Sequence, residues 1–146
     1  MAQNNQNKTS AHKKSRGRPL AFNESQVLEK ALHVFWARGY EGTSMSDLVE
    51  LLGINKPSIY AKFGNKEELF DKAVELYLTK KSVFVLEALD APTANQVIEK
   101  FLIGAAKFLT DPSHPSGSMI VQGALSCGEN TNAIHQKLIV KRAHLE

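Results

Sequence analysis

The first regular pattern in the chain begins after Asn23, where Val27, Leu28, Ala31, Leu32, Val34 and Phe35 recur at intervals of three and four until Gly39. That period predicts an amphipathic helix over about 24–38, capped by Asn23 and stopped by the glycine. A second start signal stands at Ser44, with Asp47 three residues on, and predicts a short helix ending at Leu52 before Gly53. Asn55 caps a third, about 56–63, in which Pro57 sits in the first turn, where its missing N–H is no loss. Gly64 breaks it, and Asn65 with Glu68 opens a much longer helix striped by Leu69, Phe70, Ala73, Val74, Tyr77 and Phe84. Thr93 with Gln96 opens a fifth, carrying Val97, Phe101, Ala105 and Phe108 as far as Asp111-Pro112. Residues 119–127 read as a largely apolar sixth helix, and Asn130 or Thr131 as the cap of a seventh with Ile134, Leu138 and Ile139. No stretch sustains an alternation of apolar and polar positions, so the expected fold class is all-α.

Two short helices joined through a glycine turn, behind a longer packing helix, make a helix-turn-helix candidate. At about 100° per residue, Ile59 and Phe63 share one face of the second short helix, with Pro57, Ser58 and Ala61 roughly opposite. Small groups on that outer face let a helix approach the floor of a major groove, and the Ser58 hydroxyl can bond a base edge. Tyr60 and Lys62 flank the face, where a phenol and an ammonium reach phosphates. The bland alternative is a surface helix with a solvated polar side.

Charge sharpens the picture. The net charge of the 146 residues is only +3, but residues 1–66 carry ten Lys or Arg and five acids, net +5, whereas 67–146 carry eight and ten, net −2. Residues 1–22 contain Lys8, Lys13, Lys14, Arg16 and Arg18 and no acid, with almost no apolar side chain in the first ten positions. A flexible basic arm over 1–18 and a polyanionic partner are expected. No apolar run approaches the ~20 residues that cross a bilayer, and the polar N-terminus has no secretory pattern, so no membrane association and a cytoplasmic location are expected. A single cysteine, Cys127, closes no internal disulfide.

The residues Arg16-Gly17-Arg18-Pro19, Gly39-Tyr40-Glu41-Gly42-Thr43-Ser44, Gly53-Ile54, Ser58-Ile59-Tyr60 and the run from Phe63 to Phe70 together resemble the N-terminal signature of TetR/AcrR-type transcriptional regulators, over about 16–77. The resemblance implies a flexible arm (1–18), a three-helix DNA-binding domain (19–66) and a helical ligand-binding and dimerisation domain (67–146). It implies that Thr43 and Ser44 contact phosphate, that Lys56, Pro57 and Ser58 read or approach bases, and that Tyr60 and Lys66 grip the backbone, with Lys62 beside them. Arg16 and Arg18 resemble the arm that several members lay in the minor groove, where a narrow groove favours arginine. The expected partners are double-stranded DNA bearing a palindromic operator, a small-molecule inducer and a second copy of the chain, with the protein acting as a repressor. Family chains are usually longer, with two further helices making much of the dimer contact, so the second domain is expected to be incomplete.

Phe101, Ala105, Phe108, Met119 and Cys127 are the candidates for lining a ligand cavity between the fifth and sixth helices, although such a stripe is equally what a plain core requires. Cys127 reads either as an oxidant sensor or as a small buried hydrophobe. His114, His135 and His144 have no ligating spacing, and no metal or cofactor is expected. No nucleophile with a base, phosphate-cradling loop or paired carboxylates is visible, so the chain does not read as an enzyme. The competing reading is an architectural DNA binder without ligand control.

Overall fold

The computed structural model describes residues 23–122 and 132–143, and among these every regular element is a helix. The helices are α1 (Glu24–Arg38), α2 (Met45–Leu52), α3 (Lys56–Phe63), α4 (Lys66–Leu89), α5 (Ala94–Thr110), α6 (Met119–Gln122) and α7 (Asn132–Ala143). The helix starts follow local chemistry. Asn23 accepts from the N–H groups of Ser25 and Gln26, Asn55 from Ser58, and Thr93 from Gln96. Ser44 with Asp47 and Asn65 with Glu68 form reciprocal capping boxes, each satisfying donors that a helix end leaves unpaired. Gly53, at φ 70° and ψ 23°, ends α2 in the left-handed region and turns the chain toward α3. The expected arm (1–18), residues 123–127 of the expected sixth helix and the caps Asn130 and Thr131 lie outside the described residues.

One core joins the elements, and α1 runs through it. Val27, Ala31, Leu32, Phe35 and Trp36 of α1 meet Leu48 and Leu52 of α2, Ile59 and Phe63 of α3, and Leu69, Phe70, Ala73, Val74 and Tyr77 of α4. Met119 and Ile120 of α6 and Ile134 and Leu138 of α7 close the same cluster. Phe35 meets Phe70 edge-on at 5.1 Å, and Trp36 meets Tyr77 edge-on at 4.8 Å, the geometry that aromatic quadrupoles favour. Ion pairs seam the outside: Lys80 of α4 pairs with Glu29 of α1, Lys137 of α7 bonds Glu67 at 2.6 Å and Asp71 at 2.8 Å, and Lys141 pairs with Glu75. The two carboxylates around Lys137 hold its ammonium well above the usual lysine range.

α5 behaves differently from the other long helices. It packs on the outer half of α4, where Phe84 lies 5.9 Å from Phe101 and 5.7 Å from Phe108 between ring centres. Gly104 permits the approach, since a Cβ there would sit 3.0 Å from the Phe84 side chain. None of its residues is fully buried, and Ile98, Phe101, Leu102 and Ile103 remain exposed.

Core position, rather than side-chain size, sets the expected cost of truncation. Phe35→Ala, at a position with no exposure, should lose about 3–5 kcal/mol of stability in urea unfolding. Leu86→Ala, at 64% exposure, should stay within about 0.5 kcal/mol.

Candidate nucleic-acid interface

The buried face of α3 is the one its period predicts: Ile59 and Phe63 are in the core, while Lys56, Pro57, Tyr60, Ala61 and Lys62 are exposed and Ser58 is half-buried. The outer face carries two lysines and the helix contains no acid. Lys56 lies 5.9 Å from the centre of the Tyr60 ring, so the phenol and the ammonium occupy one neighbourhood at the helix start. The ammonium of Lys72 in α4 donates to the Phe63 carbonyl at 3.0 Å, and satisfies one of the carbonyls that the end of α3 exposes.

Two of the expected cations are already engaged. Lys62 pairs with Glu24 at 2.7 Å, both side chains about half exposed, which ties the last turn of α3 to the first turn of α1. Lys66, first residue of α4, sits 4.1 Å from the centre of the Tyr40 ring, which itself packs on Phe35 and Phe70. Burial, then the nearby Glu67 and Glu41, push the Tyr40 hydroxyl above its ordinary value, so the ring beneath Lys66 is a neutral phenol at neutral pH.

At the start of α2 the expectation needs correcting. Thr43 has no exposed surface, and its hydroxyl donates to the Gly39 carbonyl at 2.8 Å, so it fastens the α1–α2 turn and offers nothing to a phosphate. Ser44 is exposed, but its hydroxyl donates to Asp47 at 2.6 Å and accepts from the Asp47 N–H at 3.1 Å. These bonds from Ser44 hold the Asp47 carboxyl below the usual range, so it stays ionised at neutral pH, with Arg38 3.7 Å away. An anion at this helix start would meet a carboxylate as well as free N–H groups. Arg38 and Glu24 escaped the sequence reading. Their partners, Asp47 and Lys62, lie far along the chain, and no spacing rule links them.

The described residues show only part of the cavity expected between the fifth and sixth helices, since 123–127 lie outside them. α6 turns back onto α1 and α4, and Met119 is fully buried there in the core. Phe101 packs against Phe84 and is 41% exposed, Ala105 is half-buried on α5, and Cys127 lies outside the described residues, as do Arg16 and Arg18. Between α4 and α5 lies a cleft of about 870 Å³, lined by Phe84 and Phe108 and by charges of both signs, Lys100 and Lys107 with Glu87, Asp90 and Asp111. Phe108 is the one expected ligand residue that borders it. The sequence shows which face of α5 is apolar but not which helix it meets.

Residues 27–73 match the family of bacterial regulatory proteins described as the tetR family. Over 140 residues the chain is 31% identical to the HTH-type transcriptional repressor ComR of Escherichia coli K12, an overlap of 94% of this chain and 67% of that one. The HTH-type transcriptional regulator YezE of Bacillus subtilis 168 is 37% identical over 110 residues, 75% of this chain and 57% of the relative. Among solved structures, a cysteine mutant of the TetR family transcriptional regulator CifR, complexed with 26-base-pair double-strand operator DNA, superposes with a TM-score of 0.81 at 37% identity. That superposition covers 88% of this chain and 67% of the other. The chain thus spans between about half and two thirds of the length of such relatives.

The Glu24–Lys62 pair yields a quantitative expectation for duplex binding. Glu24→Gln should tighten binding by releasing Lys62 and removing a repelled charge, whereas Lys62→Gln should weaken it and reduce the slope of log K against log salt by about one. Titrations at several salt concentrations read both, and equal slopes in Lys62→Gln and wild type would remove Lys62 from the interface.

Proposed function

This chain belongs to the tetR family of bacterial regulatory proteins, and we propose that it is a transcriptional repressor which binds a two-fold symmetric operator as a homodimer until a small molecule releases it. The observation that carries the reading is the outer face of α3: two lysines and no acid within the helix, small groups at Pro57, Ser58 and Ala61, and Ile59 and Phe63 as buttresses behind. In the proposed complex α3 enters the major groove. Lys56, Pro57 and Ser58 face base edges, while Tyr60, Lys62 and Lys66 meet phosphates. Arg16 and Arg18 follow the minor groove. The phosphate field is strong enough to draw Lys62 and Lys66 from their internal partners, because surface ion pairs are worth only about 0.2–1 kcal/mol.

Control requires a change in the separation of two recognition helices, which a palindrome fixes at about 34–36 Å or a multiple. The α4 helix begins three residues after α3 ends, and Lys72 bonds the Phe63 carbonyl, so a tilt of α4 carries α3 with it. The α4–α5 cleft supports an amphipathic inducer with an apolar body on Phe84 and Phe108 and a polar group among the lysines and carboxylates that line it. Such a ligand acts only through different affinity for the DNA-competent and incompetent states. No helix among the described residues is long and apolar enough to cross a membrane, and a cytoplasmic site of action accords with binding DNA.

Selection from random duplexes tests the core of the proposal. A specific regulator enriches a two-fold symmetric site, and failure to enrich any sequence would favour an architectural DNA binder instead. On the enriched duplex, Tyr60→Phe should cost roughly 1 kcal/mol through one lost hydrogen bond. Deleting residues 1–18 should lower affinity and flatten the salt dependence without loss of helix by circular dichroism.

A further inference from the structure

Trp36 is the only tryptophan of the chain, and it lies where the second half folds back over the end of α1. Between α5 and α6, residues 111–118 return toward the core as a strap. The Gly117 N–H donates to the Leu109 carbonyl at 3.2 Å, and the Gly117 carbonyl accepts from the Trp36 indole N–H at 3.2 Å. A single residue of the strap therefore reaches α5 through its N–H and α1 through its carbonyl. The His114 ring stacks on Trp36 with centres 4.2 Å apart and planes 22° from parallel, and Phe108 joins them at 5.8 Å from Trp36 and 5.0 Å from His114. The Tyr77 hydroxyl and Ser118 Oγ are hydrogen-bonded at 3.1 Å, which fixes the end of the strap to α4. Gly117 adopts φ 82°, where an L side chain is strained, and a Cβ there would lie 2.6 Å from the Gln122 amide.

The far end of this contact leads to the DNA-binding helices. Two residues after Trp36, α1 ends, and the turn that follows is fastened by the Thr43 hydroxyl on the Gly39 carbonyl immediately before the cap of α2. Along its buried face α1 packs against α2 and α3. Beside the strap, a cleft of about 500 Å³ separates Pro115, Ser116 and Gln122 from the end of α1, so the strap has room to move on that side. Packed aromatic contacts shift between discrete arrangements rather than deforming continuously.

We propose that the 111–118 strap is a regulatory element that couples the second half to the DNA-binding helices through Trp36, by way of α1 and alongside the α4 connection. The proposal rests on the regulator reading above, and the test separates the two. Trp36 emission is recorded while the wild-type protein is titrated with the duplex enriched by selection, and the affinities of His114→Ala and His114→Phe are measured on the same duplex. Trp36 is 96% shielded in the core, yet its emission should shift on saturation because α1 and the strap move together. His114→Ala should weaken DNA binding at least fivefold with unchanged helix content and lose the emission response. His114→Phe, which keeps a ring against the indole, should restore both. A wild type that binds the duplex with unchanged Trp36 emission, or a folded His114→Ala with wild-type affinity, would overturn the strap while leaving the regulator reading intact. If His114→Ala does not fold, the wild-type emission decides alone. A wild type that enriches no duplex overturns both.

Discussion

A helix of ordinary length has one apolar stripe to bury, and α1 buries its stripe against two sets of partners at once. Phe35 lies with Phe70 and the short helices, while Trp36, its neighbour, lies with Tyr77, Phe108 and the strap. Because interiors are packed to crystal-like density, neither residue moves without its surroundings. The DNA-binding unit and the helices behind it therefore share one core and have no hinge between them at α1. The position of α3 follows from this arrangement, since Ile59 and Phe63 have only that core to enter.

The charge distribution adds a second constraint. Lys62 is held by Glu24, Lys66 rests on Tyr40, and Lys72 is committed to the Phe63 carbonyl. These contacts hold side chains that would otherwise sample many rotamers, and a phosphate that takes Lys62 or Lys66 has to displace the internal partner. The acids of α4 work in the opposite sense at the far side, where Glu67, Asp71 and Glu75 receive Lys137 and Lys141. The register between α4 and α7 is thus set by opposite charges one helical turn apart on each element.

The helix boundaries were legible because caps are local. Asn23, Ser44, Asn55, Asn65 and Thr93 each satisfy a donor two or three residues on, and such bonds follow directly from the order of residues. The outer face of α3 was legible for the same reason, through the period of Ile59 and Phe63. Thr43 marks the edge of that method: two adjacent hydroxyls both read as helix-start contacts, and the first turns back to the Gly39 carbonyl and is buried while the second caps α2. Periodicity gave the apolar face of α5 without its partner. The pairing of α5 with α4 depends on Gly104 and Phe84, twenty residues apart. Trp36 and Gly117, Lys62 and Glu24 are likewise joined only in space.

The contact between Gly104 and Phe84 also bears on how such a chain can change over generations. With no side chain at 104, the ring at 84 fills the space between two helices, and a single added carbon would stand 3.0 Å from it. The two positions are coupled: a side chain at 104 requires the ring at 84 to give way, or the helices part and the cleft beside them changes width. The pair is in effect one inherited character, and a descendant acquiring a new cleft shape would be expected to carry both substitutions together.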